Sequence, residues 1–190
     1  MFFTKSNIAS LIALASLANA AAILRRESVS GVTLYAYGIG SGLPLIYADG
    51  LAYIGLTGPS DASVSTNVTF TIDNSDSTIP WTIKPKSSTV SFNETLSMYI
   101  VPTSGSFSQV GYSSDGYLPD GAVNVGFSLF GTSVAYSASE SDLELMFWAE
   151  NSTTDGVYGL YWDASAETSA IPDGALPVVV KTTVPTIPSI

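Results

Sequence analysis

Beyond the first 26 residues, apolar and polar positions alternate in short runs rich in Val, Ile, Thr, Tyr and Phe, separated by Gly, Pro, Asp and Ser. No stretch keeps the 3.6-residue period of a helix, so the pattern is that of half-buried β-strands. Leu45 to Ala48 and Leu51 to Ile54 flank Asp49-Gly50, a dipeptide that accepts the positive φ angles of a type I′ turn, and this predicts a hairpin. Further strands are predicted over Val32–Tyr37, Asn67–Ile72, Trp81–Lys84, Leu96–Val101, Gln109–Tyr112, Val123–Phe130, Thr132–Tyr136, Asp142–Ala149, Val157–Trp162 and Leu176–Thr182. About a dozen strands at this spacing imply an all-β, single-domain antiparallel β-sandwich or jelly roll, because one open sheet of that size would leave both faces uncovered. No internal repeat or linker divides it.

The start of the chain follows another rule. Met1 to Lys5 carries one positive charge, and from Ile8 to Leu17 only Ala, Ser, Leu and Ile follow. That apolar run is too short to span a bilayer and has the form of a signal peptide. Ala18-Asn19-Ala20 supplies small residues at −3 and −1, which predicts cleavage after Ala20. The pair Arg25-Arg26 resembles the dibasic sites cut by kexin-type proteases of the fungal secretory pathway. The expected organisation is a signal peptide over 1–20, a short pro-peptide over 21–26, a β domain over 27–183 and a flexible tail over 184–190.

Processing sharpens the charge. The whole chain carries 6 basic and 16 acidic residues, and loss of Lys5, Arg25 and Arg26 leaves three lysines against those 16, a net −13. Nucleic acids and anionic membranes both require clustered Lys and Arg, so neither is an expected partner of the mature form. The tail lacks the long apolar stretch of a lipid-anchor signal. The product is expected to be extracellular, released or held by the cell wall. Three sequons, at Asn67, Asn93 and Asn151, would then be open to N-glycosylation.

With no cysteine and no histidine in 190 residues, disulfides, thiol nucleophiles, thiolate or imidazole metal sites and Ser-His-Asp triads are excluded. A secreted chain without disulfides must be held by its hydrophobic core, and a domain of this length buries roughly 70% of its unfolded surface. Neither a metal nor an organic cofactor is called for. Gly38-Ile39-Gly40-Ser41-Gly42 lacks the full spacing of a phosphate loop and a following helix, so it reads as a turn. Asp73-Asn74-Ser75-Asp76-Ser77 matches no standard calcium loop and reads as an Asx-rich turn.

Two-carboxylate chemistry survives these exclusions. In a strand, Glu140, Asp142 and Glu144 would share one face with Met146 and Trp148, while Leu143, Leu145 and Phe147 took the other. The run Glu140-Ser141-Asp142-Leu143-Glu144 resembles the Glu-x-Asp-x-Glu strand of laminarinase-like glycosidases. That resemblance implies Glu140 as nucleophile, Asp142 as its assistant and Glu144 as acid/base. The competing reading is a polar outer sheet face without catalysis. Exposed aromatics offer a different chemistry, since sugars stack on Trp and Tyr rings. The candidates are Trp148, Trp162 and Tyr158, among aromatics most of which will be core.

A wider resemblance lies mid-chain. Leu96 to Pro102, Gly105 to Tyr112, Leu118 to Ala122 and Gly126-Phe127 together resemble the core of the phialide-associated fungal cell-wall protein family. It implies a small, secreted, β-rich protein of the wall or spore-forming cell without established catalytic residues, and related small secreted fungal proteins act as elicitors of plant defence. The expected function is a non-enzymatic, wall-associated structural or interaction protein whose partner is wall polysaccharide or a cell-surface protein. A carbohydrate-active module and a secreted effector are the alternatives.

Overall fold

The computed structural model describes residues 28–139, 142–165 and 170–186. Among them lie fifteen strands. The first six are β1 (Val29–Val32), β2 (Tyr35–Tyr37), β3 (Leu43–Ala48), β4 (Leu51–Ile54), β5 (Ser65–Ile72) and β6 (Thr82–Pro85). The chain continues through β7 (Leu96–Tyr99), β8 (Phe107–Gln109), β9 (Gly111–Ser113), β10 (Phe127–Phe130) and β11 (Ser133–Tyr136). It ends in β12 (Phe147–Asn151), β13 (Tyr158–Asp163), β14 (Leu176–Pro177) and β15 (Val179–Lys181).

Asp49 and Gly50 both take positive φ, 46° and 89°, which gives the β3–β4 hairpin the tight turn its sequence predicts. The Asp49 carboxylate also accepts the backbone N–H groups of Ser63 at 2.7 Å and Val64 at 2.8 Å. One residue therefore makes the turn and holds the loop entering β5.

Pairing runs β3–β5–β6–β7–β9–β4, and the β3–β4 hairpin returns it to its start. The result is a closed antiparallel barrel of six strands. Two wings extend from it. One runs from the first residues of β3 through β2, β15 and β11 to β10; the other runs from β4 through β13 and β12 to β14, with β8 also on β13. The all-β, antiparallel class matches the sequence pattern, but the ladder closes on itself, where a sandwich or jelly roll was expected. Closure rests on β9 pairing with β4, Leu51 opposite Gly111, segments far apart in the chain that local alternation does not bring together.

Buried Leu45, Ala52, Ile54, Val68, Phe70, Ile83, Met98 and Tyr112 come from the barrel strands, alternating with outward positions. A line of buried rings joins this core to the wings: Trp81 to Phe127 at 5.8 Å, Phe127 to Tyr136 at 6.1 Å, Tyr136 to Trp162 at 5.7 Å and Trp162 to Phe147 at 4.9 Å. Most are tilted or edge-on, the arrangement ring quadrupoles favour.

The predicted strand over Asp142–Ala149 is corrected. It begins only at Phe147; before it, Glu144 makes a single bridge to Tyr136. Leu143, Leu145 and Met146 remain 48%, 42% and 43% exposed, so no core faces them and the alternation that would sustain a strand is absent. Three further predicted runs divide. Val32–Tyr37 spans the end of β1 and all of β2, Gln109–Tyr112 parts at Val110, and Leu176–Thr182 parts at Val178.

Candidate functional site

The outer face of β4, β8, β12 and β13 gathers the aromatics of these strands that do not enter the core. Alternation decides which these are. In β12, Phe147 and Ala149 are buried while Trp148 and Glu150 face away; in β13, Leu160 and Trp162 are buried while Tyr161 faces away. Register then aligns them, with Trp148 opposite Tyr161, Tyr161 opposite Gln109 and Gly159 opposite Tyr53. Phe107 stacks on Tyr161 at 4.9 Å with the rings 10° apart, and Trp148 meets Phe107 edge-on at 6.4 Å.

Beside these rings lies an open groove of about 240 Å³, lined by Tyr53, Asp61, Gln109, Glu150, Asn151 and Tyr161 among others. Gly159 forms part of its floor, and a Cβ there would come within 2.7 Å of the Tyr161 ring. Two loops make the walls, tied together where Thr154 Oγ1 accepts the Ser60 N–H at 2.9 Å and pairs with Ser60 Oγ at 3.0 Å. Gln109 is fixed by donation from Nε2 to the Ala52 carbonyl at 3.1 Å. Burial, and then the Glu150 carboxylate beside it, push the Tyr161 hydroxyl up to about 12, so it remains a neutral donor at ordinary pH.

The set offers flat apolar ring faces beside carboxylate and amide groups, with no lysine among the lining residues. It suits a neutral, hydroxyl-rich ring, which presents C–H faces to aromatics and O–H groups to acceptors. An anionic ligand would face the carboxylates of Asp61 and Glu150.

The residues expected from sequence have different fates. Trp148 is half-buried on this outer face. Trp162 is fully buried against Phe147 and Tyr136, and Tyr158 turns inward to pack on the core, so neither joins the platform, a correction that follows from their parity in β13. Asp142 is exposed beyond the turn at Ser139, whose Oγ donates to its carboxylate at 3.3 Å. Glu144 is half-buried and lies near Tyr136, whose hydroxyl is raised by burial first and by Glu144 second. Neither carboxylate lines the groove. Glu140, like Ala20, Arg25 and Arg26, lies outside the described residues.

Asn67, Asn93 and Asn151 are all exposed. Among the described residues no group of three Asp or Glu side chains is placed to hold a metal ion, and no helix is long and apolar enough to cross a membrane. The carboxylates of Asp73 and Asp76 are engaged within their own turn, by Ser75 and Thr78, which also lower both below the usual carboxylate range.

Sequence reasoning missed Tyr53, Phe107, Gln109 and Glu150 as site residues. Glu150 was within reach of it, two positions after Trp148 in one strand and so on its face. Tyr53 and Phe107 depend on which strands become neighbours. No protein-family model matches the chain, and neither a curated protein nor a solved structure does.

Proposed function

We propose that this chain is a secreted, non-enzymatic protein of the fungal cell wall that binds neutral wall polysaccharide through the outer face of β4, β8, β12 and β13. The observation that carries this reading is the row of Trp148, Phe107, Tyr161 and Tyr53 beside Glu150 and Gln109. Secretion rests on the leader pattern of residues 1–26, and the wall on the mid-chain resemblance described above. Large, rigid aromatics bind a flat ligand at little entropic cost, and the polar groups beside them set its orientation.

Asp142 and Glu144 do not line the groove, and Glu140 lies outside the described residues. A retaining glycosidase holds its two carboxyls ≈ 5–5.5 Å apart across a cleft. Here Asp142 is exposed outside any strand and Glu144 makes only one bridge.

The test is retention of the purified protein on insoluble β-1,3-glucan and chitin. Wild-type protein is expected to be retained on at least one of them, and Trp148→Ala to lose about tenfold in affinity, the scale of removing ~1.4 kcal/mol at a binding hot spot. Unchanged retention in Trp148→Ala, or hydrolysis of the glucan, would overturn the reading.

A further inference from the structure

The outer face does not end at Tyr53. In β3 and β4, Leu45, Ala52 and Ile54 belong to the barrel core, so Ile46, Ala48, Leu51 and Tyr53 take the other side, with Ile46 opposite Tyr53 and Ala48 opposite Leu51. Ile46 and Ala48 are nevertheless only 1% and 2% exposed, although they lie outside the core cluster. The β4–β5 loop passes over this side. Its Pro59, Asp61 and Ala62 wall a second depression of about 100 Å³, whose lining includes Ala48, Leu51 and Tyr53. The loop is held at both ends: Asp49 accepts the N–H groups of Ser63 and Val64, and Ser60 is tied to Thr154.

Tyr53, Pro59 and Asp61 line both this depression and the groove of about 240 Å³, so the two adjoin at the Tyr53 side chain. We propose that they form one continuous groove that takes a single polysaccharide chain lengthwise, several sugars at a time, with Tyr53 beneath its middle and Asp61 accepting from its hydroxyls. The inference rests on the sugar-binding reading above. Its length follows from the register. Glu150, Gly159 and Tyr53 stand side by side on three neighbouring strands, which covers about 10 Å at the usual strand spacing, and Tyr53 to Leu51 along β4 adds about 7 Å at the usual rise. A floor of that extent holds several sugar rings in line, where either depression alone would hold little more than one. Its sides are rigid rather than adaptable. The Ser60–Thr154 bonds join the loops after β4 and β12 into one wall, and Gly58 sits so close to Ser65 that a Cβ there would collide with it. The exposed Asp61 carboxylate stands where the two depressions meet, placed to orient a chain that crosses from one to the other.

Chain length is the variable that tests this. Calorimetric titration of the purified protein with β-1,3-gluco-oligosaccharides and with chito-oligosaccharides, each from two to six sugars long, reads affinity against length. In the series that binds, affinity is expected to rise through at least four sugars and to gain about tenfold or more between the shortest and the longest. Leu51→Trp, which fills the second depression, should remove most of that gain, and Asp61→Ala should weaken the six-sugar ligand several-fold. The length series is measured on the unaltered protein, so it decides the matter even if a variant fails to fold. An affinity that is level from two sugars upward, or a six-sugar affinity that folded Leu51→Trp and Asp61→Ala both leave unchanged, would overturn the extended groove while the polysaccharide-binding reading stood. Binding of no oligosaccharide at any length, and of no insoluble glucan or chitin, would instead sink that reading and this inference with it.

Discussion

Tyr112 shows at the residue scale how the barrel interior treats a polar atom. Its ring packs with Tyr47 at 5.9 Å and Phe70 at 6.2 Å, and its hydroxyl has no hydrogen-bond partner among the described residues. Burial alone drives that hydroxyl far above its ordinary value. An unpaired buried hydroxyl costs about 1–3 kcal/mol, while the ring contributes packing that Phe retains. Tyr112→Phe should therefore hold or raise stability by about 1 kcal/mol in urea unfolding; a loss of that size would mean the hydroxyl has a partner. Asp49 is the opposite case, a polar side chain with work to do. Asp49→Ala loses both loop bonds and places a Cβ-bearing residue of poor left-handed propensity at φ 46°. It should destabilise by about 2 kcal/mol, with Asp49→Asn recovering most of the turn; equal stability of Ala and wild type would contradict the role given to the loop bonds.

Elements were legible where the rule is local. The Asp49-Gly50 hairpin, β5, β7, β11 and β13 follow from turn chemistry and alternation, within a residue or two of the predicted limits. Runs that change partner were not. At Val110, fully buried, the strand passes from β13, which pairs with β8, to β7 and β4, which pair with β9; at Val178 it passes from β12 to β2 and β11. Both breaks are apolar and read as strand interior. Gly111 marks the first one only in retrospect: it sits opposite Tyr99, whose ring lies 2.5 Å from where a Cβ would be, so glycine is required for the close approach. The candidate site was legible by half. Trp148 stands out as an aromatic beside acidic residues, but separating Trp162 from Tyr161 needs the parity of β13, and recruiting Tyr53 and Phe107 needs the non-local pairings that build the wing.

For the whole molecule, five tyrosines carry the same electrostatic mark. Tyr47, Tyr99, Tyr112, Tyr136 and Tyr161 are all raised above the ordinary 10.0, burial being the first cause in each. The folded state thus holds the proton more tightly than the unfolded chain, so this stability is complete below pH about 10 and is lost as pH rises through the folded values. Melting temperature should fall steeply from about pH 10 to 12, with tyrosinate absorbance appearing together with unfolding. Absorbance that rises fully before any loss of structure would show these hydroxyls to be accessible.

The tryptophans allow the central claim to be read directly. Trp81 and Trp162 are each 0% exposed, and Trp148 is half-buried on the outer face, so a ligand on that face changes the emission of Trp148 alone. Titration of the protein with soluble β-1,3-glucan and chitin oligosaccharides should give a saturable change in fluorescence with at least one series, absent in Trp148→Phe and weakened in Tyr161→Ala. A flat response to both series, or a response that survives Trp148→Phe undiminished, would contradict the assignment of this face as the polysaccharide site.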